Sequence, residues 1–336
     1  MPKQQLYDPA NEFLTLMEHG MTVNQTPSDK KIGSREITFY LPGMIKDGQE
    51  RGKYPAVSIT GPDCRLNCQH CQGRLLIPMI PAETPERLIS TCRQLAAQGN
   101  IGVLLSGGSD SRGVVPWARF CDAIAAVKEE TGLIVSIHTG IMTAQTAGRL
   151  KQAGVDQALT DVVGDERTAR EVLRLDGGLS DIKRTLDALT EAGLDMVPHI
   201  VAGLYFGQIN GEYQAWQIIA AHRPAAAVLV VLTPFKGTPM SDVTPPDLEE
   251  LAELLGAGRS LLPDTPVSLG CERPRGKKGR LLEALALEAG IDRIAVPDEA
   301  TVDLARSSGW RVRLQKTCCS IPFLDSVGRQ GNVLTR

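Results

Sequence analysis

The phrase "QAGVDQALT" at 152–160 returns as "EAGLDMVPH" at 191–199 and as "EAGIDRIAV" at 288–296. Each copy closes a helix-like segment with glycine, which accepts the left-handed turn after a helix without a Cβ penalty. Each then enters a short apolar run of the kind buried on both faces of a parallel sheet. A chain that repeats helix, glycine and strand in that order stacks βα units. Eight such runs can be counted. They are "AVSIT" (56–60), "GVLLS" (102–106), "LIVSIH" (133–138), "QALTDVV" (157–163), "DMVPHIVA" (195–202), "AVLVVLT" (227–233), "PVSLGC" (266–271) and "RIAV" (293–296). Helix-like segments separate them at 85–98, 117–131, 180–192, 247–262 and 279–289. The pattern predicts an α/β fold, a (β/α)8 barrel of the TIM type, with its chemistry at the C-terminal ends of the strands. A doubly wound open sheet is the alternative, because periodicity does not report closure.

The 336 residues suit a single barrel domain with additions at its ends. Residues 1–50 are expected to form an N-terminal extension: a short helix at about 9–19 and the extended piece "REITFYL", lying outside the barrel. Residues 51–300 are assigned to the barrel and 301–336 to a tail. In that tail "WRVRLQKTCCSIPF" is expected to add one strand and return cysteines to the barrel mouth. A net charge of −3 argues against a nucleic-acid partner. No apolar stretch approaches the roughly 18 residues of a membrane span, and the start lacks the apolar core of a secretory signal. The expectation is a soluble cytoplasmic protein.

Eight cysteines in a chain of this length do not suggest the disulfide framework of a small secreted domain. They cluster. "GPDCRLNCQHCQG" carries Cys64, Cys68 and Cys71 in the loop after the first run. Four thiolates would close a zinc or iron–sulfur site, whereas three on one loop leave a metal corner for another ligand. Zinc and inert buried thiols are the alternatives, but no second C-x2-C pair supplies a zinc knuckle. Cys271 ends the seventh run, and Cys318 and Cys319 follow the terminal one. Three more thiolates there suggest an auxiliary cluster, completed by Ser320, Arg273 or Arg275; ordinary tail residues are the other reading. Cys92 and Cys121 fall in helix patterns and are read as core.

The C-x3-C-x2-C spacing after a first barrel strand resembles the radical S-adenosylmethionine (SAM) superfamily. That resemblance implies a [4Fe-4S] cluster held by Cys64, Cys68 and Cys71, whose open iron chelates SAM and yields a 5′-deoxyadenosyl radical. "SGGSD" places Ser106, Gly107, Gly108 and Ser109 where the family's glycine-rich element receives the methionine amino group. The acidic residue expected after the glycines is shifted by one, to Asp110. "VVLTPFKGTPM", with Thr233, is similar to the sixth-strand element of the biotin synthase branch, which packs near the adenine. Asp161, at the end of the fourth run, either accepts hydrogen bonds from the ribose hydroxyls or caps the next segment. His138 and His199 also fall at strand ends and line the pocket, as core histidines or as cofactor neighbours.

Longer stretches resemble one subunit of the two-protein lipoyl synthases, among them "LPGMIKDGQERGKYPAVSITGPDCRLNCQHCQGRLL", "GVLLSGGSDSRGVVPW", "VPHIVAGLYFGQINGE", "SLGCERPRG" and "CCS". The resemblance implies sulfur insertion at C6 or C8 of an octanoyl chain on a carrier-protein lysine, with an auxiliary [4Fe-4S] cluster on Cys271, Cys318 and Cys319 as sulfur donor. It implies three partners: a homologous second subunit, the octanoylated lipoyl-carrier protein and an electron donor such as ferredoxin. The other functional readings are a different radical SAM enzyme of the biotin synthase and maturase branch, or a metal-binding scaffold without turnover. The basic run Arg273, Arg275, Lys277, Lys278 and Arg280 is either a rim that attracts an acidic carrier or a solvated loop.

Overall fold

The structure, a computed structural model, describes residues 35–47 and 50–324. Strand β1 (Glu36–Tyr40) leads through a small hairpin, β2 (Lys46–Asp47) and β3 (Glu50–Arg51), to β4 (Ala56–Ser58) and β5 (Ile80–Pro81). Regular alternation follows. Its first half runs α1 (Pro85–Ala97), β6 (Gly102–Ser106), α2 (Cys121–Thr131), β7 (Ile134–His138), α3 (Ala144–Gln152), β8 (Gln157–Asp161) and α4 (Leu179–Glu191). Then come β9 (Asp195–Ala202), α5 (Glu212–Ala221), β10 (Ala227–Val231), α6 (Leu248–Leu261) and β11 (Val267–Leu269). The last units are α7 (Gly276–Glu288), β12 (Arg293–Ala295), α8 (Glu299–Ser307) and β13 (Arg311–Gln315).

The repeated phrase is a repeated turn. Gly154, Gly193 and Gly290 take φ of 85°, 65° and 75°. Each donates to the carbonyl three residues back, and the residue after it donates five residues back: Val155 to Leu150, Leu194 to Leu189, Ile291 to Ala286. This is the Schellman pattern, which satisfies the last carbonyls of α3, α4 and α7. The aspartate of the phrase has its own task in two of the three copies. Asp156 Oδ2 accepts Val135 N and Lys128 Nζ at 2.7 and 2.6 Å. Asp292 Oδ2 accepts Val267 N at 2.8 Å and pairs with Arg259. Each carboxylate thus pins the start of the preceding strand, β7 or β11, and is neutralised by a cation.

Among the described residues, eleven strands form one sheet in the order β13-β1-β12-β11-β10-β9-β8-β7-β6-β4-β5, with every pairing parallel. All eight sequence-read runs are strands of it, and helices cover one face. The terminal strand expected in the tail is β13. "REITFYL" departs from expectation: it is β1, between β12 and β13, and so belongs to the barrel wall. The reason is two-sided burial, with Ile37 and Phe39 at 0% and 1% exposure on one face and Tyr40 at 1% on the other. The helix expected at about 9–19 lies outside the described residues.

The sheet curls, since one short segment, Cys319–Ile321, touches β1, β8, β11 and β12 together. Its edge strands, β13 and β5, do not pair with each other among the described residues. Across this seam, single backbone bonds instead tie the residues just before β4 to those just after β13 and β1: Lys53 N to Lys316 O at 2.7 Å and Gly43 N to Tyr54 O at 3.0 Å. Inside the curl lies a second apolar group, separate from the helix-side core: Leu159, Val197, Val228, Ala295 and Tyr40, with Leu104 and Val230 beside it. Among the described residues no helix is long and apolar enough to cross a membrane.

Candidate active site

Two groups of thiols reach this lumen from the two sides of the seam. The first is on the loop after β4. Thr60 fixes its entry: the side-chain oxygen donates to Asp63 O at 3.0 Å and accepts Gly108 N at 2.7 Å. Arg65 N donates to Ser109 O at 2.8 Å. The Cys64 loop is thereby laid directly on the "SGGS" turn after β6, so closely that a Cβ on Gly108 would sit 1.8 Å from Asp63 O. On its other side the loop rests on the helical turn Thr168–Val172 after β8, through Gln69 N to Val172 O at 2.9 Å and Cys68 Sγ to Leu173 O at 3.4 Å. Arg74 then ties the loop to the "KGTP" segment, reaching Gly237 O at 2.8 Å. Asn67 and Gln72, which flank Cys68 and Cys71, hold positive φ of 55° and 46°. Non-glycine residues take that conformation at a cost the surrounding bonds must meet.

Within the loop, Cys68 and Cys71 lie close enough to share a proton. That contact draws Cys71 below the ordinary thiol range; the same contact, with burial and the neighbouring Cys64, pushes Cys68 far above it. Cys64 Sγ stands 3.9 Å from Ser109 Oγ. Three thiolates cannot coexist here unless a cationic group shares the space. The donor set therefore fits an iron–sulfur cluster.

The second group sits deeper. After β13 the chain turns inward at Thr317, and the segment is held by its carbonyls. Gln157 donates to Ser320 O at 3.1 Å, Arg293 to Cys319 O and Ser320 O at 3.1 and 3.0 Å, and Tyr40 Oη to Ile321 O at 2.8 Å. Cys271 comes from the end of β11, and the three thiols Cys271, Cys318 and Cys319 raise or lower one another's proton affinity. Hydrogen bonding with Cys319, aided by Ser320 and His138, pulls Cys318 below the usual range against its burial. Cys319 is pushed well above it by the same contact and by burial, and burial pushes Cys271 up to about 11. Again one thiol is poised as thiolate while its neighbours keep their protons, and the set fits a second cationic group. Ser320 Oγ is buried and meets no partner at hydrogen-bonding geometry, although it lies near enough to Cys318 to favour its thiolate. Among the described residues, no three His, Cys, Asp or Glu side chains are arranged to hold a single metal ion. The thiolates of a cluster each bind a different iron and stand farther apart than the ligands of one ion.

The predicted site residues separate clearly. Ser106 ends β6, Gly107 and Gly108 lie against the cysteine loop, and Asp161 ends β8 at the mouth, exposed, within electrostatic reach of Cys68 and His199. The Asp161 side chain makes no hydrogen bond to a described residue, and so caps no segment among them. Asp110 is committed elsewhere, because its Oδ1 accepts Arg112 N and Val114 N, each at 2.9 Å, closing its own turn. His138 and His199 face each other, with ring centroids 5.4 Å apart. Thr233 follows β10 and bonds weakly back to Val231 O at 3.5 Å. Cys92 and Cys121 are core, 0% and 3% exposed. Arg273, considered as a cluster ligand and as part of a basic rim, is neither. It is buried at 3% exposure against Glu283 and the carbonyls of Gly270 and Ala295. Arg275 likewise binds the carbonyls of Cys271 and Val296.

Sequence reading missed the residues that hold the thiols in place: Thr60, Arg74, Tyr40, Gln157 and Arg293. Two left a signal, since Gln157 and Arg293 are polar residues that open strands just before apolar pairs, Ala158–Leu159 and Ile294–Ala295.

Parts of this chain are similar to known proteins. Residues 58–207 match the family model described as the radical SAM superfamily. The biotin synthase of Pelotomaculum thermopropionicum is 26% identical over 258 residues, covering 74% of this chain and 75% of that protein. Those of Akkermansia muciniphila and Pseudoalteromonas atlantica are 26% and 24% identical over 220 and 218 residues, each covering 62% of this chain. The chain spans 66% and 56% of the length of these two relatives. Among solved structures, methylornithine synthase superposes with a TM-score of 0.52 at 17% identity, covering 87% of this chain and 83% of that one. A maturase of the [FeFe]-hydrogenase superposes with a TM-score of 0.56 at 15% identity, covering 92% and 70%.

Proposed function

The chain belongs to the radical SAM superfamily, on its biotin synthase-like branch, and from that premise we propose that it is one subunit of a two-protein lipoyl synthase acting in the cytoplasm. Its reaction is sulfur insertion into an octanoyl chain carried on a protein lysine. The observation that carries this reading is the second thiol group: Cys271 and the Cys318–Cys319 pair, distant in sequence, come together where the Cys319 turn is held against β11 and β12. When bound, the first cluster and SAM supply a 5′-deoxyadenosyl radical that takes hydrogen from the substrate carbon, and the auxiliary cluster supplies the sulfur which that carbon captures.

Each part of the lumen has a role in this scheme. Cys64, Cys68 and Cys71 hold the first group, and the backbone at Ser106–Ser109 receives the methionine end of SAM. Asp161 accepts the ribose hydroxyls, and Thr233 flanks the adenine, with His138 and His199 beside them. Leu104 and Val230, only partly buried, present aliphatic surface over the buried Leu159, Val197 and Val228. That surface suits an alkyl chain and keeps water from the reacting carbon. Cys271, Cys318 and Cys319 hold the second group, and Ser320, with a buried hydroxyl to spare, is its remaining donor. Eight unpaired cysteines suit a reducing compartment. The reading calls for a homologous second subunit, an octanoylated lipoyl-carrier protein and a ferredoxin-type electron donor.

The test is anaerobic incubation with SAM, reductant and an octanoyl-lysyl peptide, with and without the homologous partner, read by mass spectrometry. Thiolated peptide is the expected product. The triple variant of Cys271, Cys318 and Cys319 to Ala should still release 5′-deoxyadenosine but give no thiolated peptide. Release of 5′-deoxyadenosine by the unaltered protein and partner, with no sulfur entering the peptide, counts against the reading.

A further inference from the structure

Among the described residues two arginines are buried around the lumen, and only one has a carboxylate partner there. Arg273, 3% exposed, pairs with Glu283, 2% exposed, at 2.5 Å. Arg293, 8% exposed, opens β12 and makes no ion pair with a described residue; its hydrogen bonds go to the carbonyls of Cys319 and Ser320. Buried charges are as a rule paired, because an uncompensated one is strongly unfavourable. The other groups on the same turn are uncharged donors: Gln157 on Ser320 O, Ser268 on Cys319 O at 3.4 Å, and Tyr40 on Ile321 O. Tyr40 and Cys319 both feel the Arg293 charge, and Cys319 in turn senses Cys271 and Cys318. A cation thus stands unpaired beside the turn that carries two of the three deep thiols.

We propose that Arg293 is the positioning residue of the second thiol site. It seats the Cys318–Ser320 turn inside the lumen and supplies the positive charge that an anionic iron–sulfur group between Cys271, Cys318 and Cys319 requires. The seating concerns the metal-free chain; the charge role rests on the reading of that site as a cluster site.

The experiment uses the full chain as Arg293→Met, Arg293→Lys and Gln157→Leu variants beside the unaltered protein. In the metal-free state, alkylation of each cysteine by iodoacetamide is followed by peptide mass spectrometry. Arg293→Met should raise the rates at Cys318 and Cys319 about tenfold or more, as loss of bonds to two buried carbonyls implies. Gln157→Leu should raise them less, and rates at Cys92 and Cys121 should stay unchanged, which reports an intact core. After anaerobic reconstitution, the iron that depends on Cys271, Cys318 and Cys319 should show a lower midpoint potential in Arg293→Met and a nearly unaltered one in Arg293→Lys. Unchanged alkylation at Cys318 and Cys319 in both Arg293→Met and Gln157→Leu overturns the seating. An unchanged potential in Arg293→Met overturns the charge role. If the unaltered protein binds no iron through those three cysteines, the cluster reading and the charge role fall together, while the alkylation rates still decide the seating.

Discussion

The rings of His138 and His199 stand 5.4 Å apart across the β7–β9 side of the lumen, tilted by 51°. His199 Nδ1 lies 2.9 Å from Val197 O. Burial, and then the proximity of His138, lower the His199 pKa to about 4, with Asp161 opposing. The folded state therefore binds this proton less readily than the unfolded chain, whose histidine titrates near 6.5. Between those two values the unfolded state holds the extra proton, so stability rises with pH through the window and is lost as pH falls from about 6.5 to about 4. Urea unfolding of the metal-free protein should show a loss on the order of 2 kcal/mol between pH 7 and pH 4.5 from this group. His199→Gln should flatten that part of the profile, and an equal slope in the variant would assign the acid sensitivity elsewhere.

Two glycines make opposite predictions. A Cβ on Gly108 would meet Asp63 O at 1.8 Å and the Cys64 Cα at 2.6 Å, both backbone-chain atoms that no side-chain rotation relieves. Gly108→Ala should push the cysteine loop off the "SGGS" turn. The expected result is loss of the iron bound through Cys64, Cys68 and Cys71, with about 1–3 kcal/mol of destabilisation. Gly148 lies inside α3 with nothing within 4 Å of its would-be Cβ. Gly148→Ala should raise stability by about 0.5–1 kcal/mol without touching iron content. Iron analysis and thermal unfolding of the two variants side by side check both.

How much of this was legible in the sequence follows from where the information resides. The eight runs became strands because burial on both faces of a parallel sheet writes itself as continuous apolar sequence. The glycines of the repeated phrase were legible because only a left-handed turn needs them. β1 was hidden, since "EITFY" stands apart from the βα rhythm and finds its place between β12 and β13 only through pairing at long sequence distance. Spacing alone revealed the Cys64 loop. The depth of Cys319 could not be read, because it is set by side-chain bonds from Tyr40, Gln157, Ser268 and Arg293, on four separate strands. Arg273 looked like surface charge in a basic run, and only its Glu283 partner, ten residues on in α7, takes it inside.

That partner gives a stability prediction. Glu283 Oε1 holds Arg273, while Oε2 accepts Asp298 N at 2.9 Å at the start of α8. Arg273 also braces Gly270 and Ala295, the residues just before Cys271 and at the end of β12. Removing the carboxylate alone leaves a buried cation uncompensated, so Glu283→Ala should cost about 3–5 kcal/mol in chemical unfolding. Replacing both members, as Arg273→Met with Glu283→Leu, should recover most of that loss, since a buried pair is largely offset by its own desolvation. A double variant no more stable than Glu283→Ala would mean that the bonds to Gly270 and Ala295, rather than the charge balance, carry the effect.

The basic run loses Arg273 to the interior, yet its outer part remains at the N-terminal end of α7. Arg275 and Lys277 are exposed, Lys278 reaches Pro246 O at 3.1 Å, and Arg280 pairs with Asp298 at 3.4 Å. These cations follow directly on Cys271 in sequence, so a carrier protein delivering its lysine arm to the lumen would pass near them. Under the proposed function, a charged rim acts on encounter more than on the chemistry, and its influence fades beyond about 8 Å at physiological salt. Charge reversal through Lys277→Glu with Lys278→Glu should lower kcat/KM on an acidic octanoylated carrier domain by about tenfold at low salt. The loss should shrink as salt is added. On a short octanoyl-lysyl peptide the same variant should match the unaltered protein, because a peptide without an acidic surface gains nothing from the rim. Equal losses on carrier and peptide would show that the two lysines support the α7 end itself, by way of the Pro246 contact, and that the carrier is recognised on another face.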